Sequence, residues 1–213
     1  MNETQAREDM ARMAASLFRR GFSVGSAGNI SMAVEDGLLI TPTNSSLGTL
    51  DPARIAKIAR DGRHLAGDKP SKEVFLHTAF YDTRPDTGAV VHLHSTYATA
   101  VSCLADVDPD DAIPPLTPYV VMRVGRVKLI PYVRPGDPAL GQLIRGLKGQ
   151  YQAVLLANHG PTVAGKDLAS AVYASEELEE TAKLVLVLRQ QKVNMLTAQQ
   201  IEDLVRVFNA PRF

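Results

Sequence analysis

The segment GAVVHLHST, residues 88–96, places two imidazoles two positions apart at the end of an apolar, β-branched run. Successive side chains on a strand point to opposite faces, so His92 and His94 would share one face while Leu93 turns to the other. Two ligands on one metal ion require that arrangement, and a pair of ordinary hydrogen-bonded histidines fits it equally well. A third imidazole, His159, follows a second apolar run in AVLLANHGPTVAG, ahead of a stretch that reads as a glycine-rich loop. If both runs lie in one sheet, three imidazoles converge and leave a position for a fourth ligand or a substrate.

Glu73 is the candidate fourth ligand, because only a short turn separates the helix it would open from the His92 strand. A carboxylate at a helix start is also what the helix dipole favours by itself. Glu73 and His77, four apart, form a rival pair on one helix face. His77 lies within VFLHTAF, among apolar neighbours, and reads as a packed and hydrogen-bonded core residue. His64, in a turn-rich stretch, reads as solvated.

These residues need elements to hold them. Residues 3–20 read as an amphipathic helix with Met10, Met13, Ala14 and Leu17 on one face. EDG, residues 35–37, reads as a hairpin turn, and LLITPTNSSLG as a strand entering a polar loop. Residues 51–70 are turn-rich and receive no assignment. Ser71 caps a predicted helix from Lys72 to about Tyr81, followed by a strand over 88–94 and a helix in STYATAVSCLA. A Pro-rich loop, 106–118, precedes a predicted helix 138–147, strand 152–157, helix 167–189 and a last helix near 197–208. Helices mixed with hairpins indicate an α/β layered fold whose sheet is mixed or antiparallel.

Composition narrows the function classes. The chain has 213 residues with 23 Lys plus Arg against 23 Asp plus Glu, a net charge of 0 spread along its length. That balance argues against nucleic acid or an anionic membrane as the main partner. The polar start, MNETQAREDM, and the absence of a long apolar run point to a soluble, cytoplasmic protein. Cys103, the one cysteine, precludes an intramolecular disulfide and reads as a buried packing thiol. No repeat or linker breaks the chain, so one domain over 1–213 is expected.

In order and spacing, GNIS, TPTNSS, KPSKE, VVHLHS and ANHG resemble the class II aldolase/adducin family, from Ala11 to Leu188. The resemblance implies a three-layer α/β/α fold around a central, mostly antiparallel sheet, assembled as a homotetramer with sites between neighbouring subunits. It further implies a divalent ion, zinc with manganese or cobalt as alternatives, held by Glu73, His92, His94 and His159, with Glu73 also the acid/base. Substrate phosphate would meet Gly28, Asn29, Thr43, Asn44, Ser71 and Lys72. Tyr119 resembles a tyrosine that family members offer to a neighbouring subunit's site, although a loop-anchoring role is an equal reading. Asn44 stands where glycine is common in the family, so the loop could be shaped differently.

The flanking segments SSLGTLDPARIAKI, PPLTPYVVMRVG, RPGDPAL and YASEELEETAKL are most similar to 3-oxo-tetronate 4-phosphate decarboxylases. Lys72 adds to this, since the sugar-phosphate aldolases usually carry serine there. The implied reaction releases carbon dioxide from a small phosphorylated sugar acid through a metal-stabilised enediolate and yields dihydroxyacetone phosphate. A fuculose- or rhamnulose-phosphate type aldolase or a pentulose-phosphate 4-epimerase would share that chemistry. A non-catalytic, adducin-like scaffold would not need Glu73, His92, His94 and His159 intact.

Overall fold

The chain begins with α1 (Glu3–Arg19), where the Asn2 side chain accepts the Gln5 amide and Ala6, Met10, Ala14 and Leu17 form the buried stripe. β1 (Asn29–Val34) and β2 (Gly37–Ile40) form the expected hairpin. The unassigned stretch contains two short strands, β3 (Ala56–Ile58) and β4 (His64–Ala66), the latter at the sheet edge, each too short to show a period. Next come α2 (Val74–Thr83), β5 (Ala89–His92), α3 (Thr96–Ser102) and α4 (Pro118–Arg123). β6 (Val127–Ile130), α5 (Ala139–Gly146), β7 (Ala153–Leu156), β8 (Gly160–Gly165), α6 (Leu168–Leu188) and α7 (Ala198–Phe208) complete the chain. This computed structural model describes residues 2–211 and 213.

Among the described residues, eight strands form one sheet in the order β4-β3-β2-β1-β5-β8-β7-β6. Every pairing is antiparallel except β6 with β7. Alternation along the strands divides the apolar side chains between two helical layers. Val91, Val163, Leu155 and Val127 face α1, α3, α4, α6 and α7, whereas Val90, Ala164, Val154 and Ile130 face α2 and α5. The fold is therefore the expected three-layer α/β/α arrangement around a mostly antiparallel sheet. Among the described residues, no helix is long and apolar enough to cross a membrane.

Three local differences from the sequence reading shape the site. β5 ends at His92 rather than residue 94; the Leu93 amide still bonds the Pro161 carbonyl at 3.1 Å, and the chain then turns into α3. The segment after His159 is not a glycine-rich loop but β8, the strand between β5 and β7. Finally, α2 starts at Val74, and Glu73 is its N-cap residue with no side-chain capping bond. Ser71 Oγ accepts the Glu73 amide at 3.2 Å and so sets the helix entry, leaving the Glu73 carboxylate free to turn elsewhere.

Candidate metal centre

β5 carries His92 on the α2 side of the sheet, with Leu93 buried on the opposite side against the α1 layer. The two alternate as the pleat demands. His94 lies just beyond the strand and still returns its ring to His92: their Nε2 atoms are 3.1 Å apart. His159, in the turn from β7 to β8, brings its own Nε2 to 3.0 Å from that of His94. The three rings stand edge to face, with centroids 4.7 to 5.0 Å apart. Among the described residues, these three histidines form a group whose ligand nitrogens all lie within 4.8 Å of one another.

Two glycines permit this crowding. A Cβ on Gly160 would lie 2.3 Å from the Leu93 carbonyl oxygen, and one on Gly28 would lie 2.8 Å from the His92 carbonyl oxygen. Side chains at either position would force the histidine-bearing backbones apart.

Hydrogen bonding fixes the state of His92. Its Nδ1 is 2.9 Å from the Pro161 carbonyl, which can only accept, so Nδ1 carries the ring proton and Nε2 presents a lone pair to the cluster. Thr162 Oγ1, also at 2.9 Å, supports the same edge. Burial then lowers the His92 pKa to about 3, keeping the ring neutral at neutral pH. Burial likewise lowers the pKa of His94 and His159. One ring proton cannot serve both short contacts of His94 linearly, so the three nitrogens lack internal satisfaction and suit a cation. Ligand nitrogens about 2.0–2.1 Å from a tetrahedral zinc lie roughly 3.3 Å apart, close to the spacing found here.

Glu73 flanks this triad without joining its tightest group. Oε2 is 3.6 Å from His92 Nε2 and Oε1 is 3.7 Å from His159 Nε2. Burial works to raise the Glu73 pKa, but His92, the hydrogen bond from Asn29 and His159 outweigh it, leaving the carboxyl below its ordinary value. The Asn29 bond, Nδ2 to Oε2 at 2.7 Å, persists when the histidines are neutral.

A cavity of about 270 Å³ opens beside Glu73 and His94, and Gly28, Asn29, Thr43, Asn44, Ser71 and Lys72 all line it. Asn44 adopts φ 58°, a left-handed conformation that asparagine tolerates better than most residues, so the loop keeps a glycine-like turn. The Asn29 side chain is committed to Glu73 and His77. Pro135 and Gly136, beyond β6, also line the cavity, and sequence reasoning missed them because no chemistry-bearing side chain marks them. Tyr119 is absent from this wall; it projects from α4 and is 54% exposed. A larger cavity, about 450 Å³, flanks the opposite end of β5 at Thr87 and Gly165, away from the histidines.

The remaining candidates sort by burial. His77 is fully buried and hydrogen-bonded as expected, and His64 is exposed. Cys103 corrects the sequence reading: it is exposed, because it sits at the C-cap of α3 where the helix leaves the core.

Residues 8–186 match the family model for the class II aldolase and adducin N-terminal domain. The chain belongs to the class II aldolase and adducin family. Among family members, a protein named 3-oxo-tetronate 4-phosphate decarboxylase from Pectobacterium atrosepticum is 53% identical over 204 residues, covering 95% of this chain and 94% of that one. L-fuculose phosphate aldolase from Escherichia coli is 35% identical over 170 residues, covering 79% of this chain and 76% of that one. The crystal structure of YgbL from Klebsiella pneumoniae superposes with a TM-score of 0.93 at 49% identity, covering 96% of this chain and 99% of that one. This family member is thus an enzyme on the class II aldolase scaffold, and its three imidazoles can hold a divalent ion.

Proposed function

We propose that this enzyme converts a 3-oxo-tetronate 4-phosphate into dihydroxyacetone phosphate and carbon dioxide. The observation that carries the reading is the 53% identity to the decarboxylase from Pectobacterium, which extends over 95% of this chain. His92, His94 and His159, with Glu73 beside them, would hold a divalent ion, zinc best matching three imidazoles and a carboxylate. When bound, such an ion supplies Lewis-acid polarisation of the 3-oxo group.

The chain's own residues carry the rest. The bond from C2 to the carboxylate breaks, its electron pair stays on C2 as an enediolate, and carbon dioxide leaves. Glu73 then passes a proton, drawn from solvent, to C2, giving the hydroxymethyl ketone. Backbone amides at Gly28 and Asn44 and hydroxyls of Thr43 and Ser71 suit the phosphate. Lys72, on the same wall, supplies the cation for the phosphate or for the carboxylate that departs. The exposure of Tyr119 outside its own chain's cavity supports a role in a neighbouring subunit's site within a cytoplasmic homotetramer.

An aldolase reading has one observation in its favour, the 35% identity to L-fuculose phosphate aldolase. Retro-aldol cleavage leads to the same enediolate and releases an aldehyde. Incubating the enzyme with 3-oxo-tetronate 4-phosphate and, separately, ketose 1-phosphates discriminates the two. Carbon dioxide with dihydroxyacetone phosphate from the former supports decarboxylation, and aldehyde release from the latter alone would refute it.

A further inference from the structure

Glu73 reaches the imidazoles with one oxygen already held. Asn29 Nδ2 donates to its Oε2 at 2.7 Å, and behind Asn29 the hydrogen bonds continue into the core. His77 Nε2 lies 2.5 Å from Asn29 Oδ1, Ser31 Oγ lies 2.7 Å from His77 Nδ1, and Tyr81 Oη lies 3.0 Å from Ser31 Oγ. Asn29 and Ser31 are i and i+2 on β1, and His77 and Tyr81 are i and i+4 on α2, so one strand face meets one helix face through this chain. Asn29 is 7% exposed, and Ser31 and His77 are 0% exposed.

Donor chemistry gives the chain a direction. The Asn29 amide nitrogen can only donate and the carboxylate accepts; the amide oxygen can only accept, so His77 carries its proton on Nε2. His77 Nδ1 is then bare and accepts from Ser31, whose oxygen in turn accepts from Tyr81. Were the Asn29 amide reversed, its oxygen would face the Glu73 carboxylate, lone pair against anion. In the reversed amide the Nε2–H of His77 would also face the donating Nδ2, so His77 adds to the carboxylate's preference for the orientation seen.

We propose that His77 is a positioning residue for Glu73, acting through Asn29 to hold Oε2 beside His92 and so to keep Oε1 beside His159. The inference rests on the proposed role of Glu73 as proton donor. Simple satisfaction of buried polar atoms would give the same bonds with no bearing on turnover. Two substitutions separate the alternatives: H77Q can return an N–H near Nε2, whereas H77L fills similar space and donates nothing.

The test measures kcat, KM, thermal midpoint and zinc content for wild type, H77Q and H77L. On the proposal, H77L loses roughly 30-fold or more in kcat with KM within about threefold and zinc content unchanged, and H77Q recovers most of the loss. An H77L kcat within about threefold of wild type overturns it, as does an H77Q enzyme equally stable but as slow as H77L. If H77L does not fold, S31A, which removes the donor to Nδ1 together with the acceptor for Tyr81 Oη, is expected to lower kcat several-fold at constant KM, and unchanged kcat there overturns the idea. A readout free of turnover uses selectively ¹⁵N-labelled asparagine. Slowed exchange of an Asn29 side-chain amide proton in wild type and H77Q, absent in H77L, supports the proposal, and slow exchange in all three refutes it. Since this signal needs no substrate, failure of the decarboxylase reading would show separately, as a wild-type enzyme that releases no carbon dioxide.

Discussion

His94 and His159 bring their Nε2 atoms to 3.0 Å across 65 positions of chain. They do so because β8 runs between β5 and β7 and doubles back directly after His159, which places the β7–β8 turn beside the end of β5. The triad is therefore a property of strand order. Replacing any one imidazole leaves the others unable to complete the set. H92A, H94A and H159A should each purify with zinc well below one equivalent and without measurable turnover, as read by elemental analysis and product assay; full zinc with normal turnover in any of them would contradict the assignment.

Glu73 stands beside the triad at 3.6 and 3.7 Å, on the cavity wall shared with Ser71 and Lys72. E73Q keeps size and hydrogen bonding while removing the transferable proton. It is expected to lower kcat by about 10²–10⁴, the usual range for losing a general acid, with binding of inorganic phosphate within a few-fold of wild type. Calorimetric phosphate titration beside single-turnover kinetics checks both halves.

His77 makes stability depend on pH. Burial depresses its folded-state pKa from 6.5 to about 4, so between these values the unfolded chain binds more protons than the folded one. Stability should be fully present above pH 6.5 and lost as pH falls toward 4, by roughly 3 kcal/mol from this residue. Urea unfolding of the metal-free protein across that window should show a shallower acid slope in H77Q than in wild type. An unchanged slope would place the effect elsewhere.

Glu179 on α6 reaches across to the start of α3 and accepts from Ser95 Oγ, the Tyr97 amide and the Ala98 amide at 2.7 to 2.8 Å. These amides begin a helix that has no side-chain cap of its own, and they follow immediately on His94. E179A removes the acceptor from three donors, two of them in buried bonds, and should destabilise the protein by about 2–4 kcal/mol. Weaker zinc retention against a chelator is expected as well, because the His94 segment loses its anchor.

Gly160 allows β8 to lie against the His94 segment. A methyl group there would sit 2.3 Å from the Leu93 carbonyl, with backbone on both sides and little room to yield. G160A should reduce zinc content and thermal midpoint together, whereas G146A, where a Cβ meets nothing within 4 Å, should leave zinc content as it is.

The chain's pattern determined much of this by itself. Residue types and spacing at His92, His94, His159 and Glu73 named the proposed donor set, and the alternation around Leu93 assigned which side chain faces the packed layer. Order of motifs carried the family and, with it, the layered fold. Tertiary structure alone decided the rest. β8 went unread because GPTVAG lacks a strong period, although its neighbours on both sides make it a central strand. Glu73 was legible as a carboxylate near a helix start, but its freedom to face the triad depends on Ser71 setting the helix entry. His77 looked inert in sequence because its proposed role lies in contacts with Asn29 and Ser31, more than 40 positions away. Local sequence specifies donors and faces; which donors meet, and which buried groups orient them, follows from long-range pairing that no local pattern encodes.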